Sequence, residues 1–163
     1  MNRKLLISNL IGGPLVLFTY FSYLGGALQK GVTTNQLWAN IKGGNRNIYF
    51  ISMILSTISY LYLLYFLIFK DEKKDNKVLI GTIIFFIGAS TWAPFLYHNF
   101  ISKISKIFTY LSLTLTSLGI ILIFKYLMMK GDIVSKISIS IFLIHVLLLD
   151  NIIWSINFHK LKN

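Results

Sequence analysis

Five apolar runs, each about as long as a bilayer is thick, dominate this chain: Leu5 to Leu28, Asn47 to Phe69, Val78 to Tyr97, Ile107 to Met129 and Ile133 to Ile156. A hydrocarbon core about 30 Å thick takes about 20 mostly apolar residues per α-helix. A membrane β-strand is about half that length and alternates with period two; none of these runs does. Because hydrocarbon offers no hydrogen-bond partners, the backbone must satisfy itself inside each run, and only a helix achieves that segment by segment. The reading is an all-α, polytopic membrane bundle of five transmembrane helices, one unit over residues 1–163, in an integral multi-pass membrane protein. Composition agrees: 55% of residues are apolar and 13% charged, against about 25% charged in soluble domains. The absence of Cys removes disulfides, thiolate nucleophiles and thiolate-bound zinc or iron–sulfur clusters.

Sixteen Lys and Arg against five Asp and Glu leave a net charge of +11. The cations occupy the gaps between runs: Arg3 and Lys4, then Lys30, Lys42 and Arg46, then the 70–77 group, Lys103 and Lys106, Lys125 to Lys136, and Lys160 with Lys162. Cations beside spans attract anionic headgroups, at about 1 kcal/mol each near the surface. A nucleic-acid site would instead gather them on one face of a folded domain. The partners expected are the lipid bilayer, a hydrophobic small molecule, and a second copy or other membrane subunits, with no nucleic acid. Five spans put the two ends on opposite sides. Nine cations fall on the side of the first residue and seven on the other, which favours a cytoplasmic start. The first run outlasts the 7–15 apolar residues typical of a signal peptide, so it is read as a retained helix.

The connection from Gln29 to Arg46 is the longest. It is either a surface loop with Trp38 at the headgroup level or a lid folded over one mouth of the bundle. In the fifth run, Asp150 is the one carboxylate well inside a span. An ionisable group there is costly and should face protein, water or a partner. At 100° per residue, Ile139, Leu143, Asp150, Trp154 and Asn157 share a stripe. His145 lies about 140° from Asp150 and is not expected to stack on it. This stripe is either an inter-helix hydrogen-bond cluster or the wall of a ligand pocket or proton site. His145 reads as a packed imidazole or as an axial ligand to haem. In the third run, Pro94 removes a backbone donor and predicts a bend, with Trp92 and Tyr97 beside it. Ser52, Ser56 and Ser59 share one helix face, as do Ser112, Thr116 and Gly119, and close helix packing accounts for both. No nucleophile–base–orienter set and no metal-ligand spacing stands out. The chain is expected to be no enzyme, without a metal or intrinsic cofactor.

Several of these stretches resemble the translocator protein family, also called tryptophan-rich sensory proteins. Gly26-Ala27-Leu28 closes the first helix, and Trp38-Ala39-Asn40-Ile41-Lys42 is similar to that family's aromatic-x-x-Leu-x-Lys loop stretch. Thr57 and Tyr60 stand where its W-x-x-L-Y segment falls, and Trp92-Ala93-Pro94-Phe95-Leu96-Tyr97 is similar to its W-x-P-x-F-F motif. Asn157-Phe158 resembles its terminal Leu-Asn-aromatic. The loop carries no Trp-Pro-Pro, Ser56 replaces the second-helix Trp, and the fifth run has no Pro-Tyr-x-x-Trp. The resemblance implies a five-helix bundle with a long first loop that binds a tetrapyrrole or sterol, with Trp38, Tyr60 and Trp92 lining the pocket. With the residues read from the spans themselves, the candidate ligand-binding set is Trp38, Tyr60, Trp92, Pro94, Tyr97, His145, Asp150 and Trp154. Three functions follow: a receptor or transporter binding a hydrophobic ligand (tetrapyrrole, sterol or lipid), a non-catalytic subunit of a larger membrane complex, or an oligomeric ion or proton channel around Asp150.

Overall fold

The structure, a computed structural model, describes residues 1–71 and 75–161. Lys73, Lys74 and Lys162 of the flanking cations lie outside them. Five helices are long and apolar enough to cross a membrane: α1 (Arg3–Gln29), α2 (Gly43–Lys70), α3 (Asn76–Ser102), α4 (Lys106–Lys130) and α5 (Ile133–His159). The protein is an all-α, multi-pass membrane bundle. The helices run a few residues beyond the apolar cores that predict them, because polar caps extend their ends. Asn2, Asp75, Ser105 and Asp132 each accept a backbone N–H of the first turn of α1, α3, α4 and α5, satisfying donors that helix starts leave open. The largest extension is at α3, expected to end at Tyr97. Asn99, fully buried, donates from Nδ2 to the Ile104 carbonyl at 2.6 Å and holds the last turn, which a left-handed Lys103 then ends. α3 continues as α-helix through Pro94.

Around the bundle the helices run in the order α1, α3, α4, α5, α2. α1 packs along α3, and α2 along α5, while α1 approaches α2 most closely near Phe66–Lys70. A seam is therefore left between α1 and α2. The tightest contact is α3 on α4, where small residues let the backbones touch. A Cβ on Gly119 would stand 2.5 Å from the Phe85 amide nitrogen, and one on Gly81 2.8 Å from the Gly119 carbonyl. Ser112 and Thr116 face Gly88 on the same strip, so the packing expected of these small residues is present. Large apolar side chains such as Ile11, Phe18 and Phe21 face outward, 65%, 66% and 79% exposed, as lipid-facing positions should.

Two apolar clusters close the ends. One, around Leu5, Leu63, Leu67, Ile120, Leu127 and Ile139, fills the end where α1 begins. The other joins Ala39 and Ile41 of the first connection to Tyr49, Leu96, Trp154 and Phe158. Lys106 fastens this second end, donating from Nζ to the carbonyls of Phe158, His159 and Leu161 at 3.2, 3.4 and 2.5 Å. A cation there satisfies the last carbonyls of α5 and complements its dipole.

Candidate functional site

Between the two clusters the path of α5 changes. From Ile144 to Trp154 its backbone is π-helical, with shorter π stretches at Tyr20–Leu24 in α1 and Phe66–Lys70 in α2. π turns close i→i+5 and recur at functional sites. Here the wider turn has a direct consequence. Residues five apart, splayed by about 140° on an α-helix, swing closer together on the wider turn, and His145 Nε2 lies 3.5 Å from Asp150 Oδ2. The sequence expectation that these two do not meet is overturned by the change of helix type. The same change moves the buried stripe. Ile139, Phe142, His145, Val146, Trp154 and Phe158 face inward, while Asn157 turns partly outward and bonds the Ile153 carbonyl at 2.8 Å.

The imidazole is held from both sides. Nδ1 lies 3.0 Å from Ser52 Oγ of α2 and Nε2 faces Asp150. Each ring nitrogen thus has a polar neighbour, Ser52 Oγ for Nδ1 and Asp150 Oδ2 for Nε2. The fold thus lines up Ser52, His145 and Asp150, a nucleophile–base–acid order that spacing in the sequence does not show. Ser52, however, lines neither of the cavities described below. Its hydroxyl is placed to orient the ring. Tyr49 of α2 donates its hydroxyl to the Leu149 carbonyl, tying α2 to the π stretch beside Asp150. Among the described residues no group of three His, Cys, Asp or Glu side chains is placed to hold a metal ion.

Aromatic side chains wall the space in front of Asp150. Tyr20 and Trp92 lie 5.4 Å apart between ring centres with planes at 53°, Trp92 and Trp154 5.5 Å apart at 71°, and Trp38 and Tyr49 6.1 Å apart at 87°. Trp154 in turn stacks on Phe158 at 4.6 Å. The first connection supplies the roof. Its single helical turn, Thr34–Leu37, starts with a reciprocal capping box between Thr33 and Gln36, two open donors satisfied by one local pair. Ala39 and Asn40 adopt left-handed backbone, with φ of 51° and 59°, which turns the chain inward so that Ala39 and Ile41 are buried. Trp154 Nε1 donates to the Leu37 carbonyl at 3.1 Å, and Arg46 lies 5.0 Å over the Trp38 ring. The connection is folded over the mouth of the bundle, the second of the two arrangements its sequence allowed.

Two cavities meet at His145 and Asp150. The inner one, about 300 Å³, lies under this roof, walled by the three tryptophans, Tyr20, Tyr49 and Asp150. The second, about 560 Å³, follows the seam between α1 and α2 past Gly13, Pro14, Met53 and Tyr60, with Phe85 of α3 and Phe142 of α5 as its floor. Tyr20, Met53, His145 and Asp150 border both. Across the seam Tyr60 donates to Asn9 Oδ1 at 2.5 Å. Two residues of these walls each carry a buried polar atom without a hydrogen-bond partner among the described residues: the Ser56 hydroxyl and the Trp92 indole N–H.

No protein family, curated protein or solved structure matches this chain.

Of the eight residues singled out in the sequence, Trp38, Trp92, His145, Asp150 and Trp154 converge on the inner cavity, and Tyr60 lines the seam. Pro94 and Tyr97 border neither cavity. Tyr97 packs instead against Tyr23 and His98, with ring centres 5.6 and 5.2 Å away, because it projects from α3 towards the end of α1. Sequence reasoning missed Tyr20, Tyr49 and Ser52. Tyrosines near span ends ordinarily mark the headgroup belt, so nothing local separates these two from belt residues. Asn9 carried a signal, being a carboxamide inside the first apolar run.

Proposed function

We propose that the chain binds a hydrophobic small molecule inside the bundle and exchanges it with the bilayer along the seam between α1 and α2. The observation that supports this most directly is the continuity of the two cavities. One is roofed, aromatic and carries the ionisable pair; the other follows the seam between α1 and α2. Binding sites for small molecules are typically concave, mostly apolar and few in polar groups, and this space has that make-up. Tetrapyrrole and sterol are the ligands that the translocator-family resemblance implies.

The test is native mass spectrometry of protein extracted in mild detergent, with an absorbance spectrum of the same sample. A small molecule retained on a monomer or dimer, and lost on Trp92→Ala, is the expected result. A mass dominated by other proteins with no retained small molecule would overturn the reading in favour of a non-catalytic subunit of a larger complex. An acid-dependent current abolished by Asp150→Asn, again without a bound molecule, would instead favour an oligomeric channel.

A further inference from the structure

We infer that the inner cavity selects for an organic cation: an amphiphile whose ammonium or comparable cationic group sits against Asp150 within the aromatic walls. The inference rests on the ligand-binding reading above and narrows it to a class of ligand.

Three independent features of the cavity agree. The first is charge. The chain carries sixteen Lys and Arg, yet among the described residues none lines the inner cavity, and Asp150 is the only carboxylate that does. Arg46 comes nearest in kind, but it lies over Trp38, its Nη1 3.4 Å from Asn35 Oδ1, and does not border the space. The second is the state of Asp150 itself. Its Oδ2 faces His145, its Oδ1 accepts no hydrogen bond from the described residues, and its side chain is 37% exposed, towards the cavities it borders. A carboxylate inside a membrane is costly unless a partner of opposite charge or a donor meets it. The third is the wall. All three tryptophans of the chain line this one cavity, with Tyr20 and Tyr49. Within three ring pairs of this wall, Tyr20–Trp92, Trp92–Trp154 and Trp38–Tyr49, the planes stand at 53°, 71° and 87°, crossed rather than stacked. Ring faces attract cations through their quadrupole, and aromatic boxes of this kind recognise quaternary ammonium groups.

Each feature also disfavours the alternatives. A tetrapyrrole bearing carboxylates would bring negative charge to a wall that offers Asp150 and no cation. A sterol would bring Asp150 a single hydroxyl donor and no charge for the ring faces to attract. A cation with an apolar body satisfies both parts of the space: its head meets Asp150 and the box, and its tail lies along the seam beside Pro14, Met53 and Phe85.

The experiment compares three probes of similar size and different charge: benzyltrimethylammonium, its neutral carbon isostere neopentylbenzene, and phenylmethanesulfonate. Protein in phosphatidylcholine nanodiscs is titrated with each and read by tryptophan fluorescence, with empty nanodiscs correcting for partition into lipid. Because every tryptophan borders the cavity, a probe that enters it is seen. The expected result is binding of the cation at least tenfold tighter than of either other probe, and loss of that advantage in Asp150→Asn. Trp38→Leu, in the connection rather than in a span, provides a second variant whose folding does not depend on the buried pair. It is expected to weaken the cation at least threefold and leave the neutral probe unchanged. Equal affinity for the neutral or anionic probe, or an undiminished preference in both variants, overturns the choice of a cation while leaving a ligand pocket standing. No saturable signal from any of the three overturns the pocket reading itself.

Discussion

At the scale of single residues, polar groups at the span ends are visible in the sequence as caps, and their consequences are calculable. Asp132 precedes α5, accepts the Ser135 amide at 2.7 Å and receives the Tyr62 hydroxyl at 3.1 Å. The backbone hydrogen bond from Ser135 is the main cause that lowers its pKa below the ordinary 3.8. A carboxyl with a depressed folded pKa contributes stability that is complete above its unfolded value and lost as pH falls through the folded one. The melting temperature in detergent should therefore drop as pH falls below about 3.8, the value from which Asp132 is displaced. Asp132→Asn keeps a capping oxygen but cannot titrate, so it should flatten that acid limb. An acid limb of unchanged steepness in the variant would mean that other groups carry it. Asp150 was legible for a different reason, as a lone carboxylate in an apolar run. Tyr20 and Tyr49 were not, since a tyrosine reveals its role only through what its ring and hydroxyl touch.

At the scale of elements, length and hydropathy announce five helices, but the kind of helical turn is not written in either. Between Ile144 and Trp154 the run Ile-His-Val-Leu-Leu-Leu-Asp-Asn-Ile-Ile-Trp reads as an ordinary apolar helix. The π stretch is met there by tertiary partners such as the Tyr49 hydroxyl on the Leu149 carbonyl, a hundred residues away in sequence. Asp150 and Trp154 still share one cavity, as their common stripe expects, but an assumed 100° per residue misses the His145–Asp150 contact and the outward turn of Asn157. The α3–α4 contact was more accessible, because small residues at helical spacing already suggest close approach. Gly119→Ala should lower stability by about 2 kcal/mol, as overpacking does, measured by unfolding in mixed micelles of increasing denaturing detergent. Gly13, whose added methyl would meet nothing within 4 Å, is the control. Gly13→Ala should leave stability within about 1 kcal/mol of the parent or raise it, by removing unfolded-state freedom. Equal losses at the two positions would contradict the tight α3–α4 contact.

At the scale of the whole molecule, the site exists because one end is roofed and one side is left open. The roof is held by the Thr33–Gln36 box and by the indole hydrogen bond from Trp154 to Leu37. Trp154→Phe and Thr33→Ala should each weaken it by about 1 kcal/mol. The expected sign is roughly fivefold faster hydrogen exchange of the amides from Thr34 to Ile41, with the spans unaffected. Exchange rates unchanged in both variants would show that the buried Ala39 and Ile41 hold the roof alone. The open side follows from order around the bundle. α1 rests on α3, α2 rests on α5, and the Tyr60–Asn9 bond bridges the seam between them.

The sequence by itself determined the membrane environment, the number of spans, their approximate ends and the close packing of small residues. Those depend on local quantities, namely hydrocarbon thickness, backbone self-satisfaction and helical periodicity. It also marked Asp150 as out of place among aliphatic neighbours and the tryptophans as candidate pocket residues. Only the tertiary structure decided that all three tryptophans share one cavity, that His145 meets Asp150, and that Pro94 and Tyr97 stand apart from both. Each of these turns on angles around a helix and on the order of helices around the bundle. A change of turn from α to π rotates every later side chain, and no local count of apolar residues records it.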